Sequence, residues 1–349
     1  MRITAPTWLS FALAIFLFSS CWNPAAARAR DLEPVSTVSL SPQILEFLRW
    51  LPADTETVAV TQVPIVLPAE KEWYELEPEY FTRRISTVCG MLPGYTWAKG
   101  LKLDRVVSGS RNFRPPTNMG MSLFDGCSVM VIAEDSPISG RQIMQEASIN
   151  CDFKERESGL EILCFKKQIM DDAWTFYMCS VDPDIILWAS DRRYLNELLA
   201  RRKSKAERQA FLPSSELWRN LDVRSDFFAL RDFRKCKSPT GSPNTFLLLE
   251  PAPERIYIDT GLVGYRVSYN YSTTTLEETY ISNDWKAQEL REYHETHSKS
   301  FRDELVPCKM AYRRGTWLNV STDVSKGSSD AYFIFLFGAL ANLGHSLVV

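Results

Sequence analysis

His294 and His297 are the residues whose type and spacing come nearest to a catalytic or metal-binding pair. They lie three residues apart on a predicted helix and share one face of it, so they could bind one metal ion or supply a general base. The HExxH pattern of zinc proteases needs its histidines four residues apart, and that spacing is missing here. Because the predicted helix is strongly polar, the sequence favours a solvated surface over a site.

The motifs of several large enzyme classes are missing from the chain. There is no GxSxG elbow, no phosphate-binding Walker loop and no dinucleotide-binding fingerprint. Ser108-Gly109-Ser110 lies in a predicted strand, where a bulge or bend explains the small residues better than a nucleophile does. Asp171-Asp172 and the pair Asp182/Asp184 lie in predicted turns, where Asp is common. We therefore predict no catalytic, cofactor-binding or metal-binding residue and no cofactor.

The chain has eight cysteines, and none of their spacings forms a CxxC pair. This argues against a zinc ribbon or a thioredoxin-like site. Cys151 and Cys164 flank a predicted hairpin tip and are the nearest candidates for a cross-strand disulfide. Cys127 and Cys179 lie inside apolar strand runs, which favours buried thiols that pack like small apolar side chains.

The N-terminus has the pattern of an export signal. Arg2 precedes the apolar run Trp8 to Phe18, and small residues follow at Ala25 to Ala29, so we predict a signal peptide over residues 1–29. The sequence leaves two products open. Cleavage at the small residues gives a soluble mature chain, whereas the lipobox-like run ending at Cys21 gives a lipid-anchored one. Either product lies outside the cytoplasm, in the periplasm or beyond it.

The charge of the chain argues against some partners. Removal of residues 1–29 takes away Arg2 and Arg28 and no acid, which changes the net charge from −3 to −5. A mildly acidic surface does not favour nucleic acids or anionic membranes. The 45% apolar content excludes wholesale disorder.

The stretch Ala173 to Lys203 organises the predicted fold. It reads as a strand, an Asp-Pro-Asp turn, the apolar run Ile185 to Ala189, and an amphipathic helix capped by Ser190 or Asp191. The apolar run is typical of a strand that is buried on both faces. The helix carries an apolar stripe at Tyr194, Leu195, Leu198 and Leu199.

The fold class that we predict is α+β, with antiparallel sheets and helices packed on one face. From Thr55 onward the predicted order is β, α, β, β, α, β, the signature of a ferredoxin-like first half that further strands would extend. Residues 30–203 form the predicted first unit. Residues 204–349 form a second antiparallel α+β unit whose apolar tail, 331–349, is interpreted as a buried segment, with a membrane span as the alternative.

Two short stretches resemble an uncharacterised class of exported bacterial proteins. The first is Leu51-Pro52-Ala53-Asp54-Thr55 before a strand. The second is Ile186 to Asp191 leading into the helix with Leu195, Leu198 and Leu199. The resemblance implies export and an α+β fold, and it carries no catalytic residue across.

These observations predict an exported, non-enzymatic envelope protein that binds an unknown protein or a small ligand. Ten tryptophans supply aromatic surface for binding, although most of them are expected to fill the core. The alternative is a secreted hydrolase or metal-dependent enzyme that uses His294 and His297.

Overall fold

The computed structural model describes residues 40–62, 65–66, 101–114, 123–169, 172–204, 217–218, 221, 223–235, 262–270, 273, 275–282, 308–313 and 317–323. Its helices and strands, numbered here in chain order, are α1 (Pro42–Trp50), β1 (Thr57–Thr61), β2 (Ile65–Val66), β3 (Lys102–Arg114), β4 (Leu123–Ile132), α2 (Gly140–Asn150), β5 (Phe153–Glu157), β6 (Leu160–Ile169), β7 (Asp172–Asp182), β8 (Ile185–Ala189), α3 (Arg192–Ser204), β9 (Phe227–Asp232), β10 (Leu262–Asn270), β11 (Thr275–Ser282), β12 (Cys308–Arg313) and β13 (Trp317–Asp323).

All the described strands belong to one antiparallel sheet. Its order is β12-β13-β11-β10-β9-β1-β3-β4-β8-β7-β6-β5, and β2 pairs with the start of β3. Strand β9 lies between β1 and β10, so strands from before and after residue 204 share the sheet. The predicted α+β class, with antiparallel strands and packed helices, is confirmed. The division into units 30–203 and 204–349 stays a prediction.

Helices lie on both faces of this sheet rather than on one. The helices α1 and α3 pack on one face over a buried cluster that includes Leu198 and Leu187. On the other face, Ile143 of α2 packs over a cluster that includes Trp188. Strand β8 therefore sends alternate side chains into two cores, as its continuous apolar run predicts. A strand that is apolar on both sides needs apolar cover on both sides.

The predicted strand–turn–strand–helix unit is confirmed as β7, β8 and α3. Asp191 caps the helix, because its Oδ1 accepts a hydrogen bond of 2.6 Å from the Tyr194 N–H. Ser190 instead joins α3 to β4: its N–H donates to the Gly126 carbonyl, and its Oγ accepts from the Gly126 N–H. Two other helices have serine caps, Ser41 for α1 and Ser139 for α2.

The ferredoxin-like arrangement of the first half is not confirmed. A split βαβ unit places one antiparallel strand between the two parallel strands that its helix joins, whereas three strands, β8, β7 and β6, lie here between β4 and β5. Helix α2 leads from β4 to β5 at the edge of the sheet, and β5 to β8 then return to β4 as a meander. Tight turns at Ser158-Gly159 and Pro183-Asp184 make successive strands antiparallel neighbours.

Several predictions fall outside the described residues and stay predictions: the signal segment 1–29 with Cys21, the pair His294 and His297, and the tail 331–349. Among the described helices, none is both long and apolar enough to cross a membrane.

The disulfide considered between Cys151 and Cys164 is not formed, and both residues are free thiols. The register of the β5–β6 hairpin explains this outcome. It places Phe153, rather than Cys151, directly opposite Cys164.

Candidate functional site

An open cleft lies where the loop after α1, strand β3 and helix α3 meet. Its volume is about 420 Å³, and we call it the Arg111 cleft. The loop contributes Pro52, Ala53 and Asp54. Its charged lining residues are Asp54, Arg111, Arg193, Glu197 and Arg201.

Arg111 lies at the bottom of this cleft, and its side chain is only 5% exposed. Its Nη1 donates to Asp54 Oδ1 at 2.6 Å and to Glu197 Oε2 at 2.7 Å, and its Nη2 donates to Glu197 Oε1 at 3.0 Å. Burial by itself would lower the pKa of Arg111, but the hydrogen bonds to Glu197 and Asp54 outweigh that effect and raise the pKa. The guanidinium of Arg111 therefore stays positively charged, and its hydrogen bonds fix its position and orientation.

A local irregularity in β3 follows Arg111. The pairing of β3 with β4 shifts register between Arg111 and Arg114, and Asn112 has a left-handed backbone with φ of 52°. Asn112 is held on both sides: its N–H donates to Glu56 Oε1 and its Nδ2 donates to Asp125 Oδ2. Bulges of this kind change the direction of neighbouring side chains and often occur beside functional sites.

The aromatic ring of Tyr194 in α3 packs against the guanidinium of Arg111. The Arg111 Cζ lies 5.1 Å from the centre of the Tyr194 ring, a cation–π contact. The Thr55 hydroxyl donates to the Pro52 carbonyl, so the Tyr194 hydroxyl, 2.8 Å from Thr55 Oγ1, is the donor in that pair. Burial raises the pKa of Tyr194, which therefore stays protonated. This chain of contacts fixes the loop after α1 against α3.

Gly109 makes room for this arrangement. A Cβ at this position would lie 2.5 Å from the Tyr194 hydroxyl and 2.9 Å from a methyl group of Leu51. The small-residue cluster 108–110 therefore marks close packing, whereas the sequence suggested a bulge or bend there. Its two serines are buried, and Ser108 shares a 2.7 Å hydrogen bond with Ser128.

The remaining charges of the cleft lie on α3 and beside the loop. Arg193 Nε donates to Glu197 Oε1 at 3.1 Å, although the Arg193 side chain is 84% exposed. Arg201 donates to the Arg49 carbonyl, and burial lowers its pKa. Lys235 donates to the carbonyls of Ala53 and Thr55 and so holds the loop from its other side. Three guanidinium groups face two carboxylates in this lining, inside a chain with a net charge of −3.

The lining suits binding better than acid–base chemistry. The hydrogen bonds from Arg111 hold the pKa of Glu197 below its ordinary value, so at neutral pH this carboxylate has no proton to donate. None of the residues that line the cleft is Ser, Thr, Cys, His or Lys, so the lining lacks a hydroxyl, thiol, imidazole or amine nucleophile. Within the described ranges, no group of three His, Cys, Asp or Glu side chains is placed to hold a metal ion.

The other candidates from the sequence do not join this cleft. Asp182 forms a salt bridge of 2.7 Å with Arg202 of α3, and neither residue lines the cleft. Burial raises the pKa values of Cys127, Cys164 and Cys179, that of Cys164 to about 11 and that of Cys179 to about 12. Thiols with such values stay protonated at neutral pH and are poor nucleophiles.

Sequence reasoning missed Arg111 and Glu197 as site residues. Asp54 did lie in the stretch Leu51 to Thr55 that carries the family resemblance. The signal for Arg111 was its position directly after the apolar and small residues Val106 to Ser110 of β3, since a buried cation requires a carboxylate partner.

Comparison with known proteins adds little to this picture. No protein-family model and no curated protein matches the chain. Among solved structures, crystal form I of TP0453 is similar to 88% of this chain and 99% of that chain, with 8% sequence identity and a TM-score of 0.43. The sequence identity and the TM-score are too low for any residue role to be carried over from that protein to this one.

Proposed function

We propose that this protein is an exported, non-enzymatic envelope protein and that its Arg111 cleft binds the anionic group of a ligand, a carboxylate or a phosphate. The observation that carries the proposal is the buried guanidinium of Arg111, which is held in place and faces an open cleft. Arg is the side chain best matched to carboxylate and phosphate oxygens, since its planar fork donates parallel hydrogen bonds.

Asp54 is the group that a ligand would displace. It makes one hydrogen bond to Arg111 and its side chain is 49% exposed, whereas Glu197 makes two hydrogen bonds and is more buried. An incoming anion can therefore take the place of Asp54 on Nη1 while Glu197 keeps the guanidinium oriented. Arg193 and Arg201 on the rim favour the approach of a negative charge.

Binding of defined anions tests the cleft. Sodium acetate and inorganic phosphate are titrated at constant ionic strength, with chloride as the balancing ion, and binding is followed by backbone amide NMR shifts. We expect Arg193→Ala to weaken binding and Asp54→Asn to strengthen it, because the second change weakens the competitor for Arg111. Arg141→Ala, at an exposed arginine on α2, is the matched control and should change nothing.

Two results would contradict the anion site. One is saturable binding that Asp54→Asn weakens, since Asp54 would then contact the ligand rather than compete with it. The other is shifts that do not saturate, or that do not map to the cleft.

Export is tested separately by the mass of the mature chain. The signal pattern motivates an N-terminus near Arg28 or Arg30, with a lipid-modified Cys21 as the alternative product. A full-length chain that begins at Met1 in the cytoplasmic fraction would contradict export.

A further inference from the structure

Strand β5 forms one end of the sheet, with β6 as its one neighbour among the described strands. A strand in this position leaves half of its backbone N–H and C=O groups directed away from the sheet, ready to pair with another strand. Side chains along β5 are accessible: Phe153, Lys154 and Arg156 are exposed, and Glu155 and Glu157 are partly so. From this edge and its charges we propose that β5 is a docking site for an extended segment of a partner protein that carries acidic residues at alternate positions.

The two faces of β5 differ in charge. On the α3 face, Glu155 and Glu157 are both paired with Arg192, at 2.9 and 3.3 Å. On the α2 face, Lys154 makes one long contact of 3.8 Å, with Glu161. The two acids of β5 therefore share one guanidinium, whereas its bases on the α2 face outnumber the acid beside them. A strand added next to β5 would place every second side chain beside Lys154 and Arg156, where carboxylates fit.

Apolar contact adds to this surface. Among the described residues, two large apolar side chains are exposed: Phe153, 37% exposed, is the first residue of β5, and Ile149, 81% exposed, lies in the last turn of α2. Phe153 lies on the α3 face, in register with Cys164. An apolar residue of the added segment, alternating with its acids, would cover the Phe153 ring.

A second copy of this chain is a poor occupant of the edge. In antiparallel pairing about a two-fold axis normal to the sheet, residues meet others of the same face. With the whole of β5 paired to its copy, Lys154 faces Arg156 and Glu155 faces Glu155. Like charges directly opposite each other destabilise strand pairing. The same charges that discourage self-association select a partner of the opposite pattern.

The test uses two acetylated seven-residue peptides in which valine alternates with glutamate or with lysine. We expect the wild-type protein to bind the glutamate peptide about tenfold more tightly than the lysine peptide. The variant Lys154→Glu/Arg156→Glu should reverse that preference. Arg141→Glu/Lys203→Glu, with the same change of charge at exposed positions of α2 and α3, should retain it. Circular dichroism establishes that each variant is folded.

Hydrogen exchange then distinguishes strand addition from general charge attraction. Binding of the glutamate peptide should slow exchange of β5 amides at residues 153–157 and leave other strands unchanged. The inference is overturned if both peptides bind alike, if the control variant loses the preference too, or if protection falls elsewhere. It is also overturned if β5 is protected in a dimer of this chain. No residue of the Arg111 cleft takes part, so this result is independent of the anion titrations.

Discussion

Replacement of Glu197 by Gln isolates the electrostatic role of this carboxylate, because Gln has the same shape as protonated Glu. In the wild-type protein Glu197 accepts two hydrogen bonds from Arg111, whose side chain is 5% exposed while that of Glu197 is 34% exposed. Exposed ion pairs contribute about 0.2–1 kcal/mol, and breaking a buried pair costs about 3–5 kcal/mol. This half-buried pair lies between those limits, so we expect Glu197→Gln to lower the free energy of unfolding by about 2 kcal/mol at pH 7.

The pH dependence gives the sharper expectation. The pKa of Glu197 in the folded protein lies below its ordinary value of 4.5, mainly because of the hydrogen bonds from Arg111. A carboxyl group with a lowered pKa stabilises the fold above its unfolded pKa, and that stabilisation is lost as pH falls through the folded pKa. Gln does not titrate. The difference between Glu197→Gln and wild type should therefore shrink below pH 4.5 and vanish once Glu197 is protonated.

Urea unfolding at a series of pH values between 7 and the acid limit of the fold measures both effects. Glu161→Gln is the matched control, since Glu161 pairs with Lys154 at 3.8 Å and both side chains are more than 40% exposed. We expect this control to change stability by about 0.5 kcal/mol or less. The reasoning is refuted if the two variants cost the same at pH 7, or if the cost of Glu197→Gln does not depend on pH.

Two further substitutions test the packing around the cleft. Leu198→Ala should lower the free energy of unfolding by about 2–5 kcal/mol, because Leu198 is fully buried. Ile149→Ala, at an exposed position, is the control and should be near neutral. Equal thermal midpoints for the two variants would contradict the placement of Leu198. Gly109→Ala should cost about 1–3 kcal/mol, since its Cβ would meet the Tyr194 hydroxyl at 2.5 Å. Tyr194→Phe should recover part of that cost in the double variant, and strictly additive thermal midpoints would rule out this contact as the cause.

Much of the local structure could be predicted from the sequence. The run Ile185 to Ala189 and the stripe Tyr194, Leu195, Leu198 and Leu199 appear as β8 and α3, because apolar periodicity reports directly which side chains must leave water. The tip at Ser158-Gly159 appears as a turn, where both residues have positive φ. Periodicity does not report what covers an apolar face, so the helices on opposite sides of the sheet were not predicted.

The Arg111 cleft depends on contacts that only the tertiary structure decided. Arg111 is 57 residues from Asp54 and 86 residues from Glu197 along the chain, and no spacing rule joins such positions. The pairing of β1 with β3 and the packing of α3 over them bring the three side chains together. By itself the sequence predicted the segments with clear apolar periodicity, such as β8 and α3, and showed which catalytic motifs are missing, because those properties are local. The strand order, the shared sheet and the partner of a buried cation are decided by long-range packing, in which many segments compete for the same apolar cover.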